Sequence, residues 1–238
     1  MSQAKIRFDY DVRRSRRVRS RITVRVYPDA SVVVSAPLWA DNAQINAVVA
    51  QYAGWVHDRL RRIEAAGPVY RLCYDDGAEH DFLGRRYRLR LMPVPGRSPA
   101  VRVDLRGDQL QVRGAQLTPT AIERGLRRWY RAQAQDVLSA SMASYAERLP
   151  WVDRLPPLAI RRMRSQWGSC SSRGQISLNT HLVKAAPALI DYVVLHELCH
   201  LVHANHGPGF RRLMSAWMAD WEARRRVLNE SSPRLLQG

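Results

Sequence analysis

The stretch Leu195-His196-Glu197-Leu198-Cys199-His200 decides how this chain is read, because it sets two imidazoles four residues apart with a carboxylate beside the first. On an α-helix four residues advance about 6 Å, so His196 and His200 share one face and can reach the same metal ion. Glu197 stands next to the first imidazole but points elsewhere, where a carboxylate can take a proton from an attacking water. Around these residues Leu189, Ile190, Val193, Val194, Leu198, Leu201 and Val202 make the helix apolar and buried. A buried helix has little use for two histidines and a glutamate unless something pairs with them, and a metal ion does.

A zinc site with an open position needs a third protein ligand, and His203, His206, His181 and Glu222 are the candidates. In a regular helix His203 returns to the face of His196 about 10 Å further along the axis, too far for joint ligation. Its expected place is behind a ligand or on the surface. His206 follows Ala204-Asn205 and precedes Gly207-Pro208, a combination that ends a helix and lets the chain turn back. His206 is therefore the expected third ligand. Glu222 is the alternative, although Trp221-Glu222-Ala223-Arg224 reads as a solvated face.

The spacing from His196 to His206 equals that of the metzincins, but His203 occupies the place of their turn glycine. Three other segments surround the helix motif: Arg164-Ser165-Gln166-Trp167-Gly168-Ser169-Cys170, Ile176-Ser177-Leu178-Asn179 and Asn205-His206-Gly207. Together with Asp191-Tyr192-Val193-Val194-Leu195-His196-Glu197-Leu198, this region from Arg161 to Arg211 resembles the YgjP-like zinc metallopeptidases, relatives of the SprT-type proteins. The resemblance implies a zincin-like fold with one zinc ion per chain, His196, His200 and His206 as ligands and Glu197 as base. One departure is Gly207-Pro208-Gly209-Phe210, where such proteins commonly read His-Ser followed by Phe-Trp.

Composition narrows the remaining choices. The 238 residues, 46% of them hydrophobic, suffice for one large unit or two small lobes. No run of 18 apolar residues occurs, and Met1-Ser2-Gln3-Ala4-Lys5 has no apolar stretch behind it, so no membrane association and a cytoplasmic location are expected. Cys73, Cys170 and Cys199 are too scattered for a disulfide framework or a zinc knuckle, and Cys199 is expected to pack in the core. The formal net charge of +17 makes nucleic acid or a nucleotide a possible partner through clusters such as Arg13-Arg14-Ser15-Arg16-Arg17-Val18-Arg19 and Arg224-Arg225-Arg226. Against this, lysine occurs only at Lys5 and Lys184, a skew that GC-rich codon usage produces without selection for phosphate contacts.

Alternating residues predict a hairpin from Arg21 to Ser35 with its turn at Pro28-Asp29-Ala30, followed by a helix from Asp41 to about Ile63. That helix has Ile45, Val48, Val49, Tyr52, Trp55, Val56 and Leu60 at helical spacing. Short strands are expected at Tyr70–Tyr74, Glu79–Leu83, Arg86–Met92, Ala100–Leu105 and Gln109–Arg113, and Thr118-Pro119-Thr120 opens a long helix reaching about Leu149. The fold class is therefore α+β. A β-rich portion, 1–115, precedes a zincin-like core, 116–238, with a small sheet and the metal helix in a single unit.

Within that core, strands are expected at Leu158–Arg164 and Gln175–Asn179, the latter as an edge to which an extended peptide adds. Trp167 and Asn179 are candidate substrate contacts or structural residues, and Arg164 a candidate partner for a carboxylate or developing oxyanion. Tyr192 is expected in the core and Asp191 at the N-cap of the metal helix. Peptide or protein cleavage is the expected activity. Nucleotide or phosphoester hydrolysis at the same metal, or DNA-associated SprT-like proteolysis, is the alternative.

Overall fold

A computed structural model describes residues 8–16, 18–27, 30–65, 72–98 and 100–237. The chain divides into two compact units, Met1–Tyr70 and Arg71–Gly238. The fold is mixed α+β, with five α-helices and three small sheets among the described residues. No helix among them is long and apolar enough to cross a membrane.

In the first unit the expected hairpin is present: β2 (Thr23–Val26) pairs antiparallel with β3 (Val32–Ala36), while Pro28-Asp29 of its turn lie outside the described residues. On the other side of β3 lies β1 (Asp11–Arg14), paired in parallel, a strand that the arginine-rich sequence did not announce. Arg14 in that cluster is occupied structurally, donating to the carbonyl of Ala40 and to Asn42 Oδ1. The following helix α1 (Asn42–Ala65) is opened by a capping box, in which Gln44 N donates to Asp41 Oδ1 at 2.7 Å and Asp41 N to Gln44 Oε1 at 3.1 Å. Ile45 and Val49 of α1 pack with Val34 and Ala36 of β3. Tyr52 and Trp55, expected on the apolar face, are 47% and 50% exposed.

The second unit begins with a four-stranded sheet in the order β4-β5-β7-β6: β4 (Glu79–Phe82), β5 (Arg85–Pro93), β6 (Arg102–Arg106) and β7 (Gln109–Gly114). The expected strand at Tyr70–Tyr74 is not formed over Leu72–Tyr74, and its first two residues lie outside the described set. The β4–β5 hairpin turns through Leu83 and Gly84, both at positive φ, and a Cβ at position 84 would come within 2.8 Å of Ala186. The long helix α2 (Pro119–Ala146) starts at its Thr118 cap, and Ala121 N donates to Thr118 Oγ1. It buries Ile122, Leu126, Tyr130, Leu138 and Met142.

These α2 residues share one core cluster with Leu89, Val103 and Leu110 of the sheet and with Val193, Val194 and Leu198 further on. Consequently the boundary expected at 115–116 falls inside the second unit. A third sheet has the order β8-β10-β9, from β8 (Leu158–Arg161), β9 (Gly168–Cys170) and β10 (Ile176–Asn179). A 3-10 turn, Thr180–Lys184, then leads to α3 (Pro187–Cys199), α4 (Pro208–Trp217) and α5 (Trp221–Leu235). Because Pro187 starts α3 one turn earlier than expected, Asp191 is not its cap but lies within the helix and accepts from Ser141 Oγ at 2.9 Å.

Candidate metal centre

From Leu189 onward the apolar residues of α3 are buried on every side, which fixes the helix firmly and leaves little freedom to His196 and Glu197 near its end. Its last turn tightens: His200 N donates to Glu197 O and Leu201 N to Leu198 O, both three residues back at 3.2 Å. Trp151 Nε1 donates to the Leu198 carbonyl at 3.1 Å, satisfying one of the terminal acceptors. The chain then turns through Asn205, whose Oδ1 accepts from Gly207 N, and carries His206 back toward the helix.

His196, His200 and His206 consequently form a group whose ligand atoms all lie within 4.8 Å of one another. Their Nε2 atoms face inward, with His196 at 3.2 Å from His200 and 3.0 Å from His206. Phe210 of α4, 1% exposed, closes the base with its ring centre 4.8–4.9 Å from all three imidazoles. His200 Nδ1 lies 2.9 Å from the His203 carbonyl and donates to it, which leaves Nε2 with its lone pair directed at the group. His203 thus acts through its backbone, while its ring lies against Gly209, where a Cβ would meet it at 2.8 Å. His181 belongs to a different cavity, and Glu222 is exposed in the first turn of α5.

Glu197 is 5% exposed, and burial lifts its carboxyl to about 8. Its Oε2, like His196 Nδ1, is buried with no hydrogen-bond partner among the described residues. Burial, followed by the neighbouring His200, His206 and Arg225, pushes His196 down to about 3, and burial also lowers His206. Three imidazoles converging on one point, next to an unpartnered acid, fit a divalent cation, which relieves both the desolvated carboxyl and the crowded nitrogens.

The strand β9 runs beside this group, and position 168 must be glycine for Glu197 to sit where it does. A Cβ there would lie 2.5 Å from Glu197 Oε1 and 2.8 Å from its Cδ. Gly168, Ser169 and Cys170 line a cavity of about 700 Å³ with His196, Glu197 and His206. A second cavity, of about 400 Å³, also reaches His196, Glu197 and His206 and is bordered by Trp167, Tyr192, Arg225 and Asn229. The strand expected to offer a free edge, β10, is paired on both sides, in parallel with β8 and antiparallel with β9, so the edge beside the triad is β9.

The remaining candidates fall in distinct places. Trp167 borders the smaller cavity and anchors its indole by donating to Ser232 Oγ at 3.2 Å. Asn179 is 0% exposed, and its amide donates to the Met163 and Gln166 carbonyls while Oδ1 accepts from Met163 N and His181 N. It holds the 163–167 loop from beneath. Arg164 is exposed and lines neither cavity around the triad. Tyr192 is buried with its ring 5.8 Å from that of His196, and Cys199 is buried with its thiol pushed up to about 12 by burial.

Arg225 and Phe210 border the site but were not read as site residues from sequence. Arg225 lies four residues after buried Trp221 and three before buried Leu228, on the inward stripe of α5, so helical spacing carried a signal.

A sequence model described as YgjP-like, metallopeptidase domain, matches residues 20–231. The chain belongs to the YgjP-like family. It is accordingly a zinc metallopeptidase, a hydrolase. Among solved structures it is similar to the metallopeptidase zymogen jannalysin of Methanocaldococcus jannaschii, at 20% identity over 40% of this chain and 93% of that one, TM-score 0.33. A similar likeness holds to the zymogen abylysin of Pyrococcus abyssi, at 19% identity over 41% of this chain and 93% of that one, TM-score 0.33. No curated protein matches the chain.

Proposed function

We propose that this YgjP-like protein cleaves peptide bonds of an extended substrate laid along β9, with His196, His200 and His206 holding one zinc ion and Glu197 as general base. The observation that carries this reading is the convergence of three inward-facing Nε2 atoms beside a buried carboxylate without a partner. Bound there, zinc supplies a Lewis acid that polarises a carbonyl and acidifies water. Glu197 takes the proton of the water as it adds to the scissile carbonyl carbon, then passes it to the leaving nitrogen, so one carboxylate serves both halves of the reaction.

The zincin-like arrangement belongs to the same reading: a metal helix, α3, behind a sheet whose edge strand, β9, meets the substrate backbone. Main-chain pairing along Gly168–Cys170 would align the scissile bond over the triad, and Gly168 lets Glu197 approach it. Arg225 and Trp167, bordering the smaller cavity, are suited to hold the substrate beside the triad.

The test is Glu197→Gln, compared with wild type for zinc content and for hydrolysis of a fluorogenic casein. The variant is expected to keep zinc and to lose on the order of 10²- to 10⁴-fold in turnover. Unchanged hydrolysis would sink the assignment of the base. Release of phosphate from nucleoside triphosphates by wild type but not by the variant would replace the peptide with a phosphoester.

A further inference from the structure

A third cavity, of about 270 Å³, lies in the same unit and shares no residue with the two around the triad. Four stretches far apart in sequence build it: the approach to β4, the first half of α2, the end of β8 and the 3-10 turn before α3. Its walls are apolar and aromatic, from Leu72, Tyr74, Leu126, Tyr130 and Ile160. Its polar lining is almost wholly cationic or proton-donating. Arg127, Arg131, Arg161, Arg162 and Lys184 face a single carboxylate, Glu123, which Arg127 already pairs at 3.1 Å.

Two buried groups show that this lining is built rather than a chance meeting of surface arginines. Lys184 is 4% exposed; its amine donates to the Gln237 carbonyl and sits 5.1 Å from the Tyr130 ring centre. His181 is 6% exposed, and its Nε2 accepts from Arg162 Nε at 3.3 Å, so its proton resides on Nδ1 as a further donor. Among the described residues Arg131 and Arg161 have no ion-pair partner. A concave site with apolar walls and a concentration of unneutralised donors is complementary to an anion that carries an apolar body.

We propose that this cavity is a binding site for a small organic anion, a carboxylate or phosphate head on an aromatic or aliphatic body, separate from the metal centre. The apolar part rests among Leu126, Ile160 and the two tyrosines. Arg131, Arg161 and Arg162 take the head.

Calorimetric titration of the zinc-loaded protein with naphthoate, naphthyl phosphate, the neutral naphthalenemethanol and inorganic phosphate tests it. One or both aromatic anions are expected to bind at least about ten-fold more tightly than the alcohol or inorganic phosphate, and the tighter of the two identifies the head. Arg131→Gln and Arg161→Gln, both at exposed positions, are expected each to weaken binding about five-fold or more while leaving zinc content and casein hydrolysis unchanged. Because a carboxylate can also bind zinc, the titration is repeated on His200→Ala, where affinity should persist. Equal affinity for the alcohol, wild-type affinity in both arginine variants, no binding at millimolar ligand, or loss of binding in His200→Ala would each overturn the proposal.

Discussion

The histidine triad and the basic cavity of the second unit both hold imidazoles whose pKa burial lowers, yet the two arrive at opposite chemistry. At the metal centre the imidazoles converge on one another, and the acid beside them has no partner. In the basic cavity His80 and His181 are pushed down to about 4 and about 3, chiefly by burial and further by Lys184, but they turn to different partners. His80 Nε2 lies 3.0 Å from the Cys73 carbonyl and His181 Nε2 faces Arg162. A desolvated imidazole is therefore not in itself a metal ligand. What separates the two cases is whether the ring nitrogens meet at a point or bond to separate neighbours, His80 Nε2 donating to the Cys73 carbonyl and His181 Nε2 accepting from Arg162.

The sharpest way to break this contrast is to remove one histidine from each cavity. His200→Ala is expected to lose the zinc and, with it, essentially all hydrolysis, whereas His181→Gln should keep a full complement of zinc by elemental analysis. Zinc loss in the second variant would mean that the two cavities are not chemically separate.

A smaller effect is expected at Gly168, whose lack of a Cβ lets Glu197, the proposed base, lie against β9. In Gly168→Ala the new methyl would occupy the place of Glu197 Oε1, so the carboxylate must move by an ångström or so. The expected outcome is a fall in kcat of about 10- to 100-fold with zinc retained. A variant with wild-type kcat would show that Glu197 does not work from its observed position.

How much of this could be read from sequence follows from how local each feature is. His196, Glu197 and His200 lie within two helical turns, and His206 follows from Asn205 and Gly207-Pro208, so short-range geometry indicated the grouping. Asp191 suggests a later helix start than the observed one because Pro187 outranks it as a helix opener. The sequence does not distinguish β9 from β10 as the free edge, since strand order depends on which segment returns to pair, and spacing does not encode that. The basic cavity was out of reach for the same reason. Its lining residues come from positions 72–80, 123–131, 160–162 and 180–184, and each arginine alone looks like one more surface charge.

The smallest effect concerns stability and tests whether the basic cavity is as dry as its histidines indicate. His80 and His181 titrate near 4 and 3 in the folded chain against an ordinary value of 6.5, so folding requires them neutral. Above 6.5 neither state binds the proton and nothing is lost. As the pH falls from 6.5 toward the folded values, the unfolded chain takes up protons that the folded chain refuses, and stability drops. Each imidazole then contributes a slope approaching about 1.4 kcal/mol per pH unit. His181→Gln keeps an acceptor for Arg162 but removes one of the two titrations, so its stability should fall less steeply than wild type between about pH 6 and about pH 4, by close to one proton. Urea unfolding at several pH values measures this, and the histidines of the triad, common to both proteins, cancel in the difference. Coincident slopes would mean that His181 takes up its proton in the folded cavity, and the distinction between a converging triad and a desolvated, cation-flanked pair would then rest on geometry alone.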